Sequence, residues 1–326
     1  APIDYGGGLY PYNTSGDGIG DDIIRSIGGT AASSTSNSND YLPLTLRSSG
    51  CTGLPSDSTV VVSGSNVTFC RDSITVSDIE SAIIFTATAR KVNCDYSNFT
   101  SSSVTYGARL FSGNNDVTIA NCNFYGFSNG IYASTGGDLI NNLTLQNINI
   151  YSSTSEAVYI RYLQNATFDG VHTHSSASGF YLDQTSYSNF NNISSEISSG
   201  DGLRLSNSHL NNITNATIIS SNSDGVYLSS SNSNTLSSSN ISNNGLSNPF
   251  YRGLRISGSS NLIYNNYFDN ARNAQSDNSN NYFNTTYDCS SPNILGGLCI
   301  GGNYWSDFAP IDYGGGLYPY NTSGDG

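Results

Sequence analysis

Oxygen donors at regular intervals stand near the start of the chain. Asn13, Ser15, Asp17 and Asp21 occupy positions 1, 3, 5 and 9 of a stretch whose sixth residue is Gly18. Side-chain oxygens at this spacing converge on calcium, and the glycine permits the sharp turn between them. Ile24 stands where such loops carry a closing glutamate, and Asn13 where they start with aspartate, so a plain Gly-Asp turn in a linker is the competing account. The expectation is a structural calcium ion.

A second set of residues suits chemistry on acidic sugars, which calls for clustered carboxylates beside Arg or Lys. The best placed are Glu156, Asp183, Asp201 and Asp224, near Arg161 and Arg204. Asp201 and Asp224 each precede a glycine in equivalent segments. No Asp-Asp pair, His-Gly or Arg-x-Lys element accompanies them, and the one lysine, Lys91, is far earlier. They are expected to be acids on a rim, with no catalytic residue among them. His172 and His174 lie two apart on one strand, the minimum for a copper or zinc pair, but His209 has no visible link to them and the chain has no methionine.

A third feature is a column of outward side chains, Arg109, Tyr132, Tyr159, Tyr181, Arg204, Tyr227 and Arg255. Tyr and Arg in such a row offer flat, amphipathic surface to sugar rings or to a neighbouring subunit. An aromatic ladder that only stabilises a sheet is the alternative. Six cysteines, at 51, 70, 94, 122, 289 and 299, show no CxxC spacing and are expected to form disulfides. Proximity in sequence favours Cys289 with Cys299 and suggests Cys51 with Cys70 and Cys94 with Cys122. Cys70 and Cys94 also fall in adjacent segments, which leaves the last two pairings open. Asn-x-Ser/Thr glycan acceptors occur at Asn13, Asn66, Asn98, Asn142, Asn165, Asn192, Asn212, Asn215, Asn240, Asn284 and Asn321. With the disulfides they favour an extracellular setting at the cell surface.

These residues are positioned by a short pattern that returns from about residue 58 to 269. Its clearest members are GIYAS at 130, AVYIR at 157, GFYLD at 179, GLRLS at 202, GVYLS at 225 and GLRIS at 253. The apolar anchors are Ile131, Val158, Phe180, Leu203, Val226 and Leu254, with Ile83 and Ala108 as earlier members. Two further short strands follow in each unit. One is read at Leu143-Thr-Leu145, Ala166-Thr-Phe168 and either Ile213 or Ala216-Thr-Ile218. The other is read at Asn149-Ile150, Val171-His-Thr173, Glu196-Ile197 and Asn240-Ile241. Such trios of alternating strands, punctuated by Asn and Gly, are coils of an all-β solenoid rather than helices, and their fixed order argues against a β-sandwich. Eight or nine three-strand coils at ~4.8 Å each make a rod of about 40 Å. Asn and Gly at the corners supply left-handed backbone.

The eighteen residues Ala1 to Gly18 recur letter for letter as Ala309 to Gly326, the mark of a tandem array. Among the 326 residues 11% are charged, 36% are hydrophobic and the net charge is −13. A core can form, whereas the acidity argues against nucleic acid or an anionic membrane as partner. No apolar run reaches the ~20 residues of a membrane span.

With its GxxL coils and the block Gly301-Gly-Asn-Tyr-Trp-Ser-Asp-Phe308, the chain resembles the right-handed parallel β-helix, pectin-lyase-like superfamily. It is most similar to the NosD-type β-helix domains of archaeal surface-layer and cell-envelope proteins, in which a GGNYWSDY block precedes an acidic GDGIGD segment. Here that segment is Gly16 to Asp21. The resemblance implies a right-handed parallel β-helix over 58–285, a lead-in and cap over 28–57, and a disulfide loop with a closing cap over 286–308. It makes residues 1–27 the tail of a preceding unit and 309–326 the start of the duplicated linker. Trp305 is expected to cover the last coil. The copper role associated with some NosD-type proteins is not expected here. The resulting expectation is a non-enzymatic structural unit that packs with copies of itself, and with cell-surface glycans as a further partner, in a surface layer, sheath or filament. The alternatives are a polysaccharide lyase or hydrolase and a glycan-binding adhesin.

Overall fold

The computed structural model describes residues 41–43, 51 and 59–306, apart from 64–65, 78–79, 87, 89, 102, 104, 112 and 135. The calcium loop expected at Asn13, Ser15, Asp17 and Asp21, both copies of the duplicated stretch and the acceptors Asn13 and Asn321 lie outside the described residues. What is described is all β, with no helix, wound as a parallel solenoid of about nine turns. A sheet of 12 strands makes one long side and a sheet of 14 makes two short sides. The long side begins with Tyr41–Pro43, paired to Thr59–Val62, within the stretch expected as lead-in and cap.

The anchors read from the sequence fall in one register. Ile83, Ala108, Ile131, Val158, Phe180, Leu203, Val226 and Leu254 stack turn on turn along the long side, all of them buried. Alternation of side chains across a strand sends their neighbours outward, so the core is one continuous apolar column. A glycine precedes six of these anchors and a buried alanine, Ala82 or Ala157, precedes Ile83 and Val158, because the stacking leaves little room there. A Cβ at Gly202 would lie 2.8 Å from the Gly225 carbonyl oxygen, and one at Gly225 would lie 2.6 Å from that of Gly253.

Four series of left-handed residues turn the chain, one of which, Tyr162, Gln184, Asn207 and Ser230, stands three residues ahead of the first of the three that follow. The first includes Asn142, Asn165 and Leu210, the second Asn147, Asn192 and Asn215, the third Ser152, Ser175 and Ser220. Asn tolerates this conformation better than most residues, and it fills most of the second series. Within a turn the corners follow each other at five-residue intervals, as at Asn142, Asn147 and Ser152 and again at Asn215 and Ser220.

One open strand reading is settled and one is corrected. Ile213 holds the first short side against Phe190, while Ile218 and Ile219, also read from the sequence as a second strand, lie on the second short side, where Ile218 pairs with Ser195. Ile197 is not a core residue: it is a left-handed corner, 54% exposed, and Ser195 is buried in its place. A slip of one or two residues exchanges faces or strands, and a serine-rich run carries too weak an apolar alternation to forbid it.

Toward the C-terminal end, buried asparagines join the apolar column. Asn211, Asn234, Asn261 and Asn281 form a ladder in which each Nδ2 and each backbone N–H donates to the Oδ1 of the next, at 2.9–3.1 Å. The structure pairs Cys51 with Cys70, Cys94 with Cys122 and Cys289 with Cys299. Trp305 adds a final rung, pairing with Phe268 and stacking on its ring at 4.4 Å.

Candidate functional site

The outward column of the long side is the most organised surface of the rod. Arg109, Tyr132, Tyr159, Tyr181, Arg204, Tyr227 and Arg255 stand in register on successive turns. Tyr132 stacks on Tyr159 and Tyr159 on Tyr181, each pair at 5.4 Å between ring centroids. The Arg204 guanidinium lies between the rings of Tyr181 and Tyr227, at 5.3 and 5.0 Å, and Arg255 covers Tyr227 at 5.0 Å. Burial raises the Tyr159 phenol above its ordinary pKa.

This geometry sets which parts of the rings face outward. Rings stacked along the rod turn their faces to each other, so edges and hydroxyls are what they present outward. Tyr106 extends the row, stacking on Tyr132 at 4.1 Å. It was not anticipated because its partner is diagonal, one turn away and displaced along the strand.

Each cation of this face has a carboxylate. Arg109 pairs with Glu80, Arg161 with Asp183 at 3.0 Å, Arg204 with Asp201 at 3.9 Å and Arg255 with Asp224 at 3.9 Å. The Nε atoms of Arg109, Arg204 and Arg255 are buried without a hydrogen-bond partner, so ring stacking rather than hydrogen bonding occupies that part of each guanidinium.

Of the four acids singled out in the sequence, Asp201 and Asp224 come together and the others do not join them. The Asp224 N–H donates to Asp201 Oδ1 at 3.1 Å, and the Arg252 N–H donates to Asp224 Oδ1 at 2.7 Å. Each carboxylate thus satisfies a backbone donor of the turn above. Burial lifts the Asp224 carboxyl to about 6, and lifts Asp201 as well. Asp183 is held instead by Arg161 and Asn207, and Glu156 lies under Asn129.

His172 and His174 sit on the second short side. His172 Nδ1 lies 2.9 Å from Ser194 Oγ, and burial lowers the pKa of its imidazole. His174 Nε2 is 3.9 Å from Glu196, in a row with Tyr151 and Tyr125, which stack at 4.7 Å. The spacings of this second row match the coil length and were legible, but its mixed residue types hid it. His209 Nδ1 accepts the Asn232 N–H at 3.1 Å, remote in register from the other two.

Comparison with known proteins follows from this architecture. No curated protein sequence matches. Among solved structures the chain is similar to the periplasmic alginate epimerase AlgG, with 13% identity over 69% of this chain and 66% of that one and a TM-score of 0.49. It thus spans about two thirds of the length of AlgG. The A-module of the mannuronan C-5 epimerase AlgE4 of Azotobacter vinelandii is similar at 12% identity, covering 68% of this chain and 90% of that one, with a TM-score of 0.30. A family model described as periplasmic copper-binding protein (NosD) matches residues 138–310.

The described residues do not fit copper. Among the described residues no three of His, Cys, Asp and Glu converge, and every cysteine is in a disulfide. The sequence has no methionine to supply a soft ligand. The matched residues take in the later turns of the solenoid and its closing strands. Because that match takes in more than half of the sequence, the chain belongs to the NosD family.

Proposed function

We propose that the protein is an extracytoplasmic structural unit, a β-helix rod that packs against copies of itself in a cell-surface layer, sheath or fibre. The observation that carries this reading is the Tyr/Arg face of the long side. Its rings are stacked on one another and its charges are matched within the face, which gives a rigid, flat and nearly neutral strip along the rod. Such a surface loses little side-chain freedom on docking, and aromatic and Arg side chains dominate interfaces for that reason. Three disulfides suit an oxidising compartment, and the recurrence of Ala1–Gly18 as Ala309–Gly326 supports units in series.

The test is assembly. Replacing Tyr159 and Tyr181 by Ser should leave the fold intact and abolish ordered lattices or fibres in electron micrographs. Assembly undisturbed by both changes would remove the long side from the interface. In the same reading calcium is held by Asn13, Ser15, Asp17 and Asp21. Chelation should then lower the melting temperature, and an unchanged value would count against a structural ion.

Action on a polysaccharide is the second reading. The paired acids Asp201 and Asp224 favour it, since a carboxyl near pKa 6 can exchange protons at neutral pH. Release of unsaturated uronates or new reducing ends from polysaccharides would support it. Against it stands the use of both carboxylates as acceptors for backbone N–H groups.

A further inference from the structure

The glycan acceptors are not spread evenly around the rod. Asn142, Asn165, Asn192 and Asn215 are exposed corners with φ of 58°, 56°, 51° and 53°, and they flank the first short side. Asn66 and Asn212 are exposed on that same side, next to Val67 and Ile213. In each case the hydroxyl residue two places on stands in the sequence as the acceptor motif demands. Backbone geometry alone does not explain Asn142 and Asn165, because their corner series is filled elsewhere by Tyr187, Leu210 and Ser233.

Two acceptors on the second short side differ. Both are half-buried where the other six are exposed, and the Asn240 side-chain oxygen is fully buried. An engaged amide is not the distinction, since Asn142 donates to Asp116 at 2.7 Å and Asn215 to Asn191 at 2.9 Å just as Asn98 donates to Ser73 at 3.0 Å. The strands of the long side, with the Tyr/Arg face, contain no Asn-x-Ser/Thr motif.

We propose that the protein is N-glycosylated on one side only, at exposed acceptors of the first short side and its corners, with Asn98, Asn240 and the long side bare. The donor is a glycan linked to a lipid through phosphate. The Asn Nδ2 forms a bond to the anomeric carbon, the bond from that carbon to the phosphate oxygen breaks, and the proton lost by nitrogen leaves to a base.

Glycopeptide mass spectrometry of the protein taken from its native cell envelope tests this. Sugar on any of Asn66, Asn142, Asn165, Asn192, Asn212 or Asn215, with Asn98 and Asn240 unmodified, is the expected result. In that case Asn-to-Gln changes at the occupied positions should each remove one glycan mass. Sugar on Asn98 or Asn240, or none on the six, overturns the proposal. The sugar map and the assembly of the Tyr variants are read separately, so either idea can fail without the other.

Discussion

Asp224 shows how a single side chain on this rod can act against folding at neutral pH. Its carboxyl is raised from 3.8 to about 6 chiefly by burial, with Asp201 adding repulsion and Arg252 and Arg255 opposing it. The folded chain therefore binds this proton more tightly than the unfolded chain, and between pH 4 and 6 the contribution of Asp224 to stability falls as pH rises. Allowing for screening at the rim, the loss is roughly 1–2 kcal/mol by pH 7. Asp224→Asn keeps an oxygen for the Arg252 N–H and removes the charge. Its urea midpoint should therefore exceed that of the wild type at pH 7, with the difference vanishing near pH 4. A difference that stays constant across this range would show that Asp224 does not titrate there. None of this was legible beforehand: the sequence placed Asp201 and Asp224 in successive turns, but their backbone partners exist only once the turns are stacked.

At the scale of elements, the two kinds of asparagine should behave oppositely. Asn234→Ala removes an acceptor from the Asn211 N–H and Nδ2 and a donor from Ser208 O and Asn261 Oδ1, all buried. Stranding several buried polar groups at about 1–3 kcal/mol each should cost about 3 kcal/mol or more in urea denaturation. Asn142 is an exposed corner, and Asn142→Gly should change stability by less than about 1 kcal/mol, whereas a β-branched Val there should cost about 1–3 kcal/mol. An Asn234→Ala variant as stable as Asn142→Gly would mean that the ladder contributes nothing. The sequence displayed the long-side strands well, since a glycine, an apolar anchor and an alternating Tyr or Arg recur together. The short sides were legible only where Val, Ile, Leu or Phe alternated. Around Ser195 the core is lined by hydroxyl groups, and Ile197 offered a false anchor.

For the whole molecule, the solenoid was visible because each turn repeats one ordered trio of strands and contacts only its neighbours. The self-stacking of the ladder and the matching of its charges were not, since both depend on distances between turns that no spacing encodes. The corners carry one more implication. Asn142, Asn147 and Ser152 are five residues apart, as are Asn165, Gly170 and Ser175, and Leu210, Asn215 and Ser220. From the third corner to the next first corner the interval is not fixed: it runs from Ser175 to Tyr187 in one turn and from Asn243 to Ser260 in another. Two sides of the rod thus act as gauges of set length, and the third is where the chain tolerates splicing. A short Gly/Ser graft between Gly136 and Gly137, where nothing lies within 4 Å of either added Cβ, should leave the melting temperature nearly unchanged. One residue inserted between Asn142 and Asn147 should lower it sharply, by turning the Leu143–Leu145 side inside out. Foreign sequence, such as an epitope or a tag, therefore has its natural point of attachment on the loops of the long side.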